Sequence, residues 1–140
     1  MILSIMVNKR TLFFFIAFFT NALLFAQDST VKVATVNKKT FFGQASFYSD
    51  KFNGRKTASG EIFSQSKFTC ASNMLTLGTW VKVTNLRNGK FAIVKVNDRL
   101  HPSMRRIVDL TRAAAAQLGF VSAGLARVKV EVLGKKKPNN

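Results

Sequence analysis

The sequence predicts a small, mainly β domain closed into a barrel, with one short helix. Three observations predict it. Short runs of alternating apolar and polar residues recur along the chain, a strong turn signal joins two of them, and one alanine-rich stretch alone reads as helix. Many short strands beside a single helix suit a barrel, in which each strand buries one face.

The elements follow in order. Gly43–Tyr48 opens the domain. Trp80–Leu86 alternates, Arg87–Lys90 turns the chain back, and Phe91–Asp98 returns. Asn88-Gly89 is a two-residue hairpin signal, because both residue types accept positive φ. In the last strand, Ala126–Leu133, Val128, Val130 and Val132 share one face, while Lys129 and Glu131 share the other. Thr111 is placed to cap a helix, Ala113–Ala116 favours it and Gly119 is placed to end it. Leu110, Ala114 and Leu118 form the stripe that should pack on the sheet.

Before the barrel comes an export signal. Lys9 and Arg10 precede the largely apolar Leu12–Phe25, and Ala26 is a plausible last residue of the signal. The run is short of the roughly 20 apolar residues that a spanning helix needs, so cleavage is expected rather than a stable membrane span. The organisation expected is a signal peptide over 1–26, a polar lead-in over 27–40, one domain over 41–134 and a basic tail over 135–140. The single cysteine, Cys70, lies far from the signal, so the product is expected to be soluble and not a lipoprotein. It is expected in the periplasm or outside the cell. Cys70 itself reads as a buried thiol, with a reactive thiol or a dimer link as the alternatives.

The chain carries 22 lysines and arginines against six acids, a net charge of +16. Losing the signal removes two bases and no acid, so the excess persists. Such a field draws a protein to polyanions. Export argues against nucleic acid and leaves membrane lipid and anionic wall polymers as partners. One histidine and one cysteine cannot build a metal site, so neither metal nor cofactor is expected. No phosphate loop and no GxSxG motif occurs, and Ser59, Ser64 and Ser72 have no histidine base nearby in sequence.

With so few acids, the candidates for chemistry are quickly found. Asp28, Asp50 and Glu131 have ordinary explanations as a lead-in residue, a turn residue and an outward strand residue. Asp98 ends a strand, and counting back by twos through Val96, Val94 and Ala92 puts its side chain on the apolar face. A partly desolvated carboxyl there can hold a proton for donation. It could equally cap a turn, or pair with Arg105 or Arg106. Asp109 lies where a strand runs into the helix and could instead accept helix N-terminal amides. Glu61 follows Thr57-Ala-Ser-Gly60, a loop of small residues that lets a polymer approach, or is simply a solvated loop acid. Tyr48 and Trp80 are candidate sugar-stacking platforms, with core packing as the alternative.

Several blocks, in the right order, resemble the rare lipoprotein A (RlpA) family. They are Gly43–Tyr48, Phe52–Glu61, Leu77–Leu86 with Asn88-Gly89, Val96-Asn-Asp-Arg99, and Arg106–Ala115 with Leu118-Gly119. The resemblance covers about residues 43–133. It implies a six-stranded double-psi β-barrel with one short helix, the fold of expansins and barwin-like proteins. It also implies an endolytic lytic transglycosylase that cleaves the MurNAc–GlcNAc bond of peptidoglycan and leaves 1,6-anhydroMurNAc ends. Peptidoglycan glycan strands would be its substrate, with cell-division or wall-remodelling proteins as further candidate partners. On this resemblance Asp98 and Glu61 are the first catalytic candidates and Asp109 the third. Tyr48, Trp80, Asn97, Arg99 and Ser72 are candidates for substrate binding. Ser72 stands where many members carry a histidine, which hands the role to the carboxylates. A non-catalytic, expansin-like wall-binding module and an interaction or inhibitor protein are the competing readings.

Overall fold

The computed structural model describes residues 38–139. Among them, six strands close a barrel: β1 (Thr40–Phe47), β2 (Thr69–Ala71), β3 (Trp80–Asn85), β4 (Phe91–Asp98), β5 (Val108–Leu110) and β6 (Ala126–Gly134). The order around the barrel is β1-β5-β2-β4-β3-β6, and β6 pairs with β1 to close it. β1 runs parallel to β5, and β2 parallel to β4; the other pairs are antiparallel. The mainly β barrel with one short helix is as the sequence predicts. Residues 1–26, expected to be a signal peptide, and Asp28 lie outside the described residues.

Alternation explains the core. Val81, Val83, Val94, Val96, Val128 and Val130 point inward and are buried, with the small Ala45, Cys70 and Ala92 among them. Branched and small side chains suit so narrow an interior. Burial pushes the Cys70 thiol well above its ordinary range, with the Asp109 charge adding to it, so it stays a neutral core residue. Helix α1 (Arg112–Leu118) buries Ala114, Ala115 and Leu118 against the sheet and ends at Gly119.

Three local expectations are corrected, and one strand was not anticipated. β2, three residues long and buried throughout, is too short to announce itself by alternation. The β3–β4 connection is a four-residue loop rather than a two-residue turn. Asn85 and Lys90 close it, Gly89 alone takes positive φ (74°), and the Gly89 amide donates to the Asn85 carbonyl. Thr111 holds the N-cap position, but its hydroxyl donates to the Lys67 carbonyl instead of capping. The first helical amide, that of Arg112, is taken by the Gln65 side chain at 2.8 Å.

The third correction positions the site. Cys70 pairs with Val96, yet its neighbour Ala71 pairs with Asp98. Asn97 is therefore an extra residue, a β-bulge, and the alternation of β4 slips by one beyond it. Strand partners project to the same side of a sheet, so Ser46, Asp109, Ala71 and Asp98 form one row across β1, β5, β2 and β4. That row faces outward. Asp98 does not leave on the apolar face with Val96; the bulge brings it out on the side of Phe91, Ile93 and Lys95.

Candidate functional site

A hairpin, residues 54–63, folds over the end of β4. Its rungs are Gly54 N–H to the Phe63 carbonyl (2.9 Å), Phe63 N–H to the Arg55 carbonyl (2.7 Å) and Thr57 N–H to the Glu61 carbonyl (2.8 Å). The tip turns at Gly60, whose φ of 86° a side chain would resist. The loop of small residues thus serves to bring backbone close to β4. The Ser59 amide donates to the Asn97 carbonyl at 3.0 Å, and the Ala58 amide donates to Asp98 Oδ1 at 2.9 Å.

Asp98 is held by neutral donors. Oδ1 accepts the Ala58 amide and also the Arg99 amide, at 2.8 Å. Oδ2 accepts the Tyr48 hydroxyl at 2.7 Å. Of the four lone-pair directions of a carboxylate, three are thereby used, and the open one belongs to Oδ2. The Tyr48 ring packs at 4.4 Å from Phe63 and 5.8 Å from Phe52, between ring centroids. Burial first, and then the hydrogen bond to Asp98 and its charge, push the Tyr48 hydroxyl far above its ordinary range. It remains a proton-bearing donor toward Asp98.

Asp98 and Asp109 line one cleft of about 470 Å³. Phe47, Tyr48 and Phe52 supply apolar wall, Lys51, Arg99 and Arg106 supply positive charge, and His101 stands at the rim with them. Asp109 is bound on both oxygens by Arg106, at 2.8 Å from Nε and 3.0 Å from Nη2. Arg106 therefore pairs with Asp109, not with Asp98, and Asp109 does not cap the helix.

Glu61 does not line this cleft. Oε1 accepts Lys95 Nζ at 2.6 Å and Oε2 accepts Asn97 Nδ2 at 3.2 Å. The Lys95 hydrogen bond holds the Glu61 carboxyl below its ordinary range, with Asn97 and nearby lysines assisting. Asn97 is only 2% exposed, and its side chain is committed to Glu61.

The remaining sequence candidates are dispersed. Ser72 is 2% exposed; its hydroxyl donates to the Ile107 carbonyl at 2.9 Å and accepts the Met74 amide. The Arg99 guanidinium donates to the carbonyls of Ser72 and Leu75, so it braces the 72–75 loop beside the cleft. Trp80 lies in a different groove, on β3, with Phe68, Phe91 and Lys95. Sequence reasoning missed His101 and Phe52 as cleft residues. It also missed the Arg106–Asp109 pair, which the spacing of three residues could have flagged. His101 Nδ1 lies 2.7 Å from the Ser103 hydroxyl.

A family model described as lytic transglycolase matches residues 40–130. The endolytic peptidoglycan transglycosylase RlpA of Pasteurella multocida is 50% identical over 91 residues, 65% of this chain and 31% of that protein. RlpA of Haemophilus influenzae is 43% identical over 98 residues, 70% of this chain and 34% of that protein. The chain thus spans about a third of the length of these curated relatives. Among solved structures, an expansin of Clavibacter michiganensis aligns with a TM-score of 0.56 at 22% identity, over 73% of this chain and 53% of the expansin. At that identity the likeness concerns the fold.

Proposed function

The chain belongs to the RlpA family of lytic transglycolases, and from that premise we propose that it is an endolytic peptidoglycan lytic transglycosylase acting through Asp98. The observation that carries the reading is the state of Asp98: a carboxyl in an open cleft, fixed by three neutral hydrogen bonds, with one free lone pair on Oδ2.

The chemistry needs one acid that works twice. Protonated on Oδ2, Asp98 gives its proton to the glycosidic oxygen as the bond to C1 of MurNAc breaks. The 6-hydroxyl oxygen of the same MurNAc bonds to C1, and the Asp98 carboxylate takes the hydroxyl proton. The products are a 1,6-anhydroMurNAc end and a free GlcNAc hydroxyl, with no water consumed. A hydrolase would need a second carboxylate placed for a water or for covalent attack. Asp109 is a poor second base, since both of its oxygens face Arg106. It serves better as a fixed, charge-balanced wall of the cleft. Tyr48 holds Asp98 in place, and Glu61 anchors the hairpin to β4 through Lys95 and Asn97. Ser72, turned into the fold, takes no part in proton transfer, and the chain's single histidine stands at the cleft as His101.

The same proposal includes export. The segment 1–26 acts as a cleaved signal, and the product works in the periplasm or outside the cell as a soluble protein, where the positive charge holds it near anionic wall polymers. No helix among the described residues is long and apolar enough to cross a membrane.

The test is digestion of purified sacculi, with products read by mass spectrometry. Anhydro-muropeptides from the wild type that vanish with Asp98→Asn support the reading. Intact binding to sacculi without any products overturns it in favour of a wall-binding module.

A further inference from the structure

We infer that the groove around Trp80 is a second glycan subsite, which holds the same anionic wall strand that the Asp98 cleft receives. This rests on the proposed substrate and adds where the rest of the strand lies. The groove, of about 540 Å³, presents Trp80, Phe91 and Phe68 together with Lys67, Lys95 and Lys137. Phe91 is 48% exposed and Phe68 38%. Flat aromatic faces suit the C–H faces of pyranoses, and ammonium groups suit the carboxylates of muramic acid and its stem peptides.

The cations are arranged on the aromatics. Lys137 Nζ lies 5.8 Å from the centre of the Trp80 ring, and Lys82 Nζ lies 4.3 Å from that of Phe91. Neither Lys67 nor Lys137 pairs with an acid among the described residues. Charge and stacking surface therefore stand side by side. That combination selects an anionic sugar polymer over a neutral one.

Strand β4 joins the two sites. Phe91, Ile93 and Lys95 line the groove at one end, and Asp98 lines the cleft at the other. All four lie on the outer side of the barrel, because the bulge at Asn97 returns Asp98 to it. At about 3.3 Å per residue, Phe91 and Asp98 are on the order of 23 Å apart. A disaccharide cannot touch both; a strand of several sugars can. The Glu61–Lys95 pair marks the boundary between the two sites.

The experiment uses uncleaved binding. Peptidoglycan strands sorted by length are titrated onto the exported protein carrying Asp98→Asn, alone and combined with Trp80→Ala or Phe91→Ala. Because Phe91 is exposed, its variant leaves the core intact, and circular dichroism checks both. Affinity is expected to rise with strand length in the Asp98→Asn protein. Either added substitution should weaken long strands about tenfold, the scale of one lost aromatic contact, and abolish that rise. A rise with length that survives both substitutions overturns the proposal. Polyglutamate that binds as tightly and depends equally on Trp80 overturns the glycan assignment. The cleavage reading fails separately, if the wild type yields no anhydro ends while length-dependent binding still requires Trp80.

Discussion

Asp98 at the end of β4 and Glu61 on the hairpin that folds over it are both carboxyls held against the same strand, yet their surroundings differ. Asp98 receives hydrogen bonds only from uncharged groups and keeps a lone pair open to a cleft. Glu61 has a lysine on one oxygen and a buried amide on the other, and it lines no part of that cleft. Under the proposed mechanism, a carboxyl that works on substrate must keep a lone pair within the substrate's reach, whereas one that holds structure has both oxygens engaged. Residue type and position along the chain do not separate the two. Their partners do.

The sharpest way to break this comparison is kinetic. Asp98→Asn should lower kcat for release of anhydro ends by about 10²–10⁴-fold, the usual worth of a positioned general acid. Glu61→Gln should cost far less, because the amide still bonds Asn97 and the hairpin keeps its backbone rungs. Equal losses in the two variants would erase the distinction. Tyr48→Phe tests the support of Asp98: the ring remains, while one hydrogen bond to Oδ2 goes. Thermal unfolding should show a loss of about 1 kcal/mol, with kcat for anhydro-end release reduced and KM little changed. An unchanged kcat would show that Asp98 needs no such support.

The smallest effect is a pH signature of Glu61. Its folded carboxyl is held below the ordinary range, so its ion pair stabilises the protein above that range. The stability is lost as pH falls through the ordinary value, about 4.3, toward the lower folded one. Urea melts of wild type and Glu61→Gln should therefore differ at pH 7 and converge in acid. Since the pair is about a third exposed, added salt should shrink the difference at neutral pH as well. A gap that widens in acid would refute the assignment of Glu61 as the ionised partner.

Much of the fold was legible in the chain. The alternation of β3, β4 and β6 and the alanine-rich helix needed only local periodicity, and the burial of Val81, Val83, Val94, Val96, Val128 and Val130 follows that pattern. The short β2 was not legible, because three residues carry no period. Part of the site was legible as residue types: Asp98, Asp109 and Tyr48 all line the cleft. Trp80 was legible as an aromatic of interest but not as lining a groove apart from the Asp98 cleft. Ser72 was legible only as a departure from a resembled pattern, and its hydroxyl is turned inward on the Ile107 carbonyl.

By itself the sequence determined the class of fold, the strongly positive charge and the shortage of acids that limits the chemistry to a few carboxylates. These are properties of composition and local period, which a chain expresses wherever it folds. Only the tertiary structure decided that Asp98 faces outward, that Tyr48 and the Ala58 amide hold it, and that Lys95 claims Glu61. Those outcomes rest on pairings between residues as many as 50 positions apart and on one extra residue in the β2–β4 register. A one-residue slip reverses which side of a strand a side chain occupies. No count by twos along β4 alone reveals the slip, because the bulge exists only relative to the partner strand.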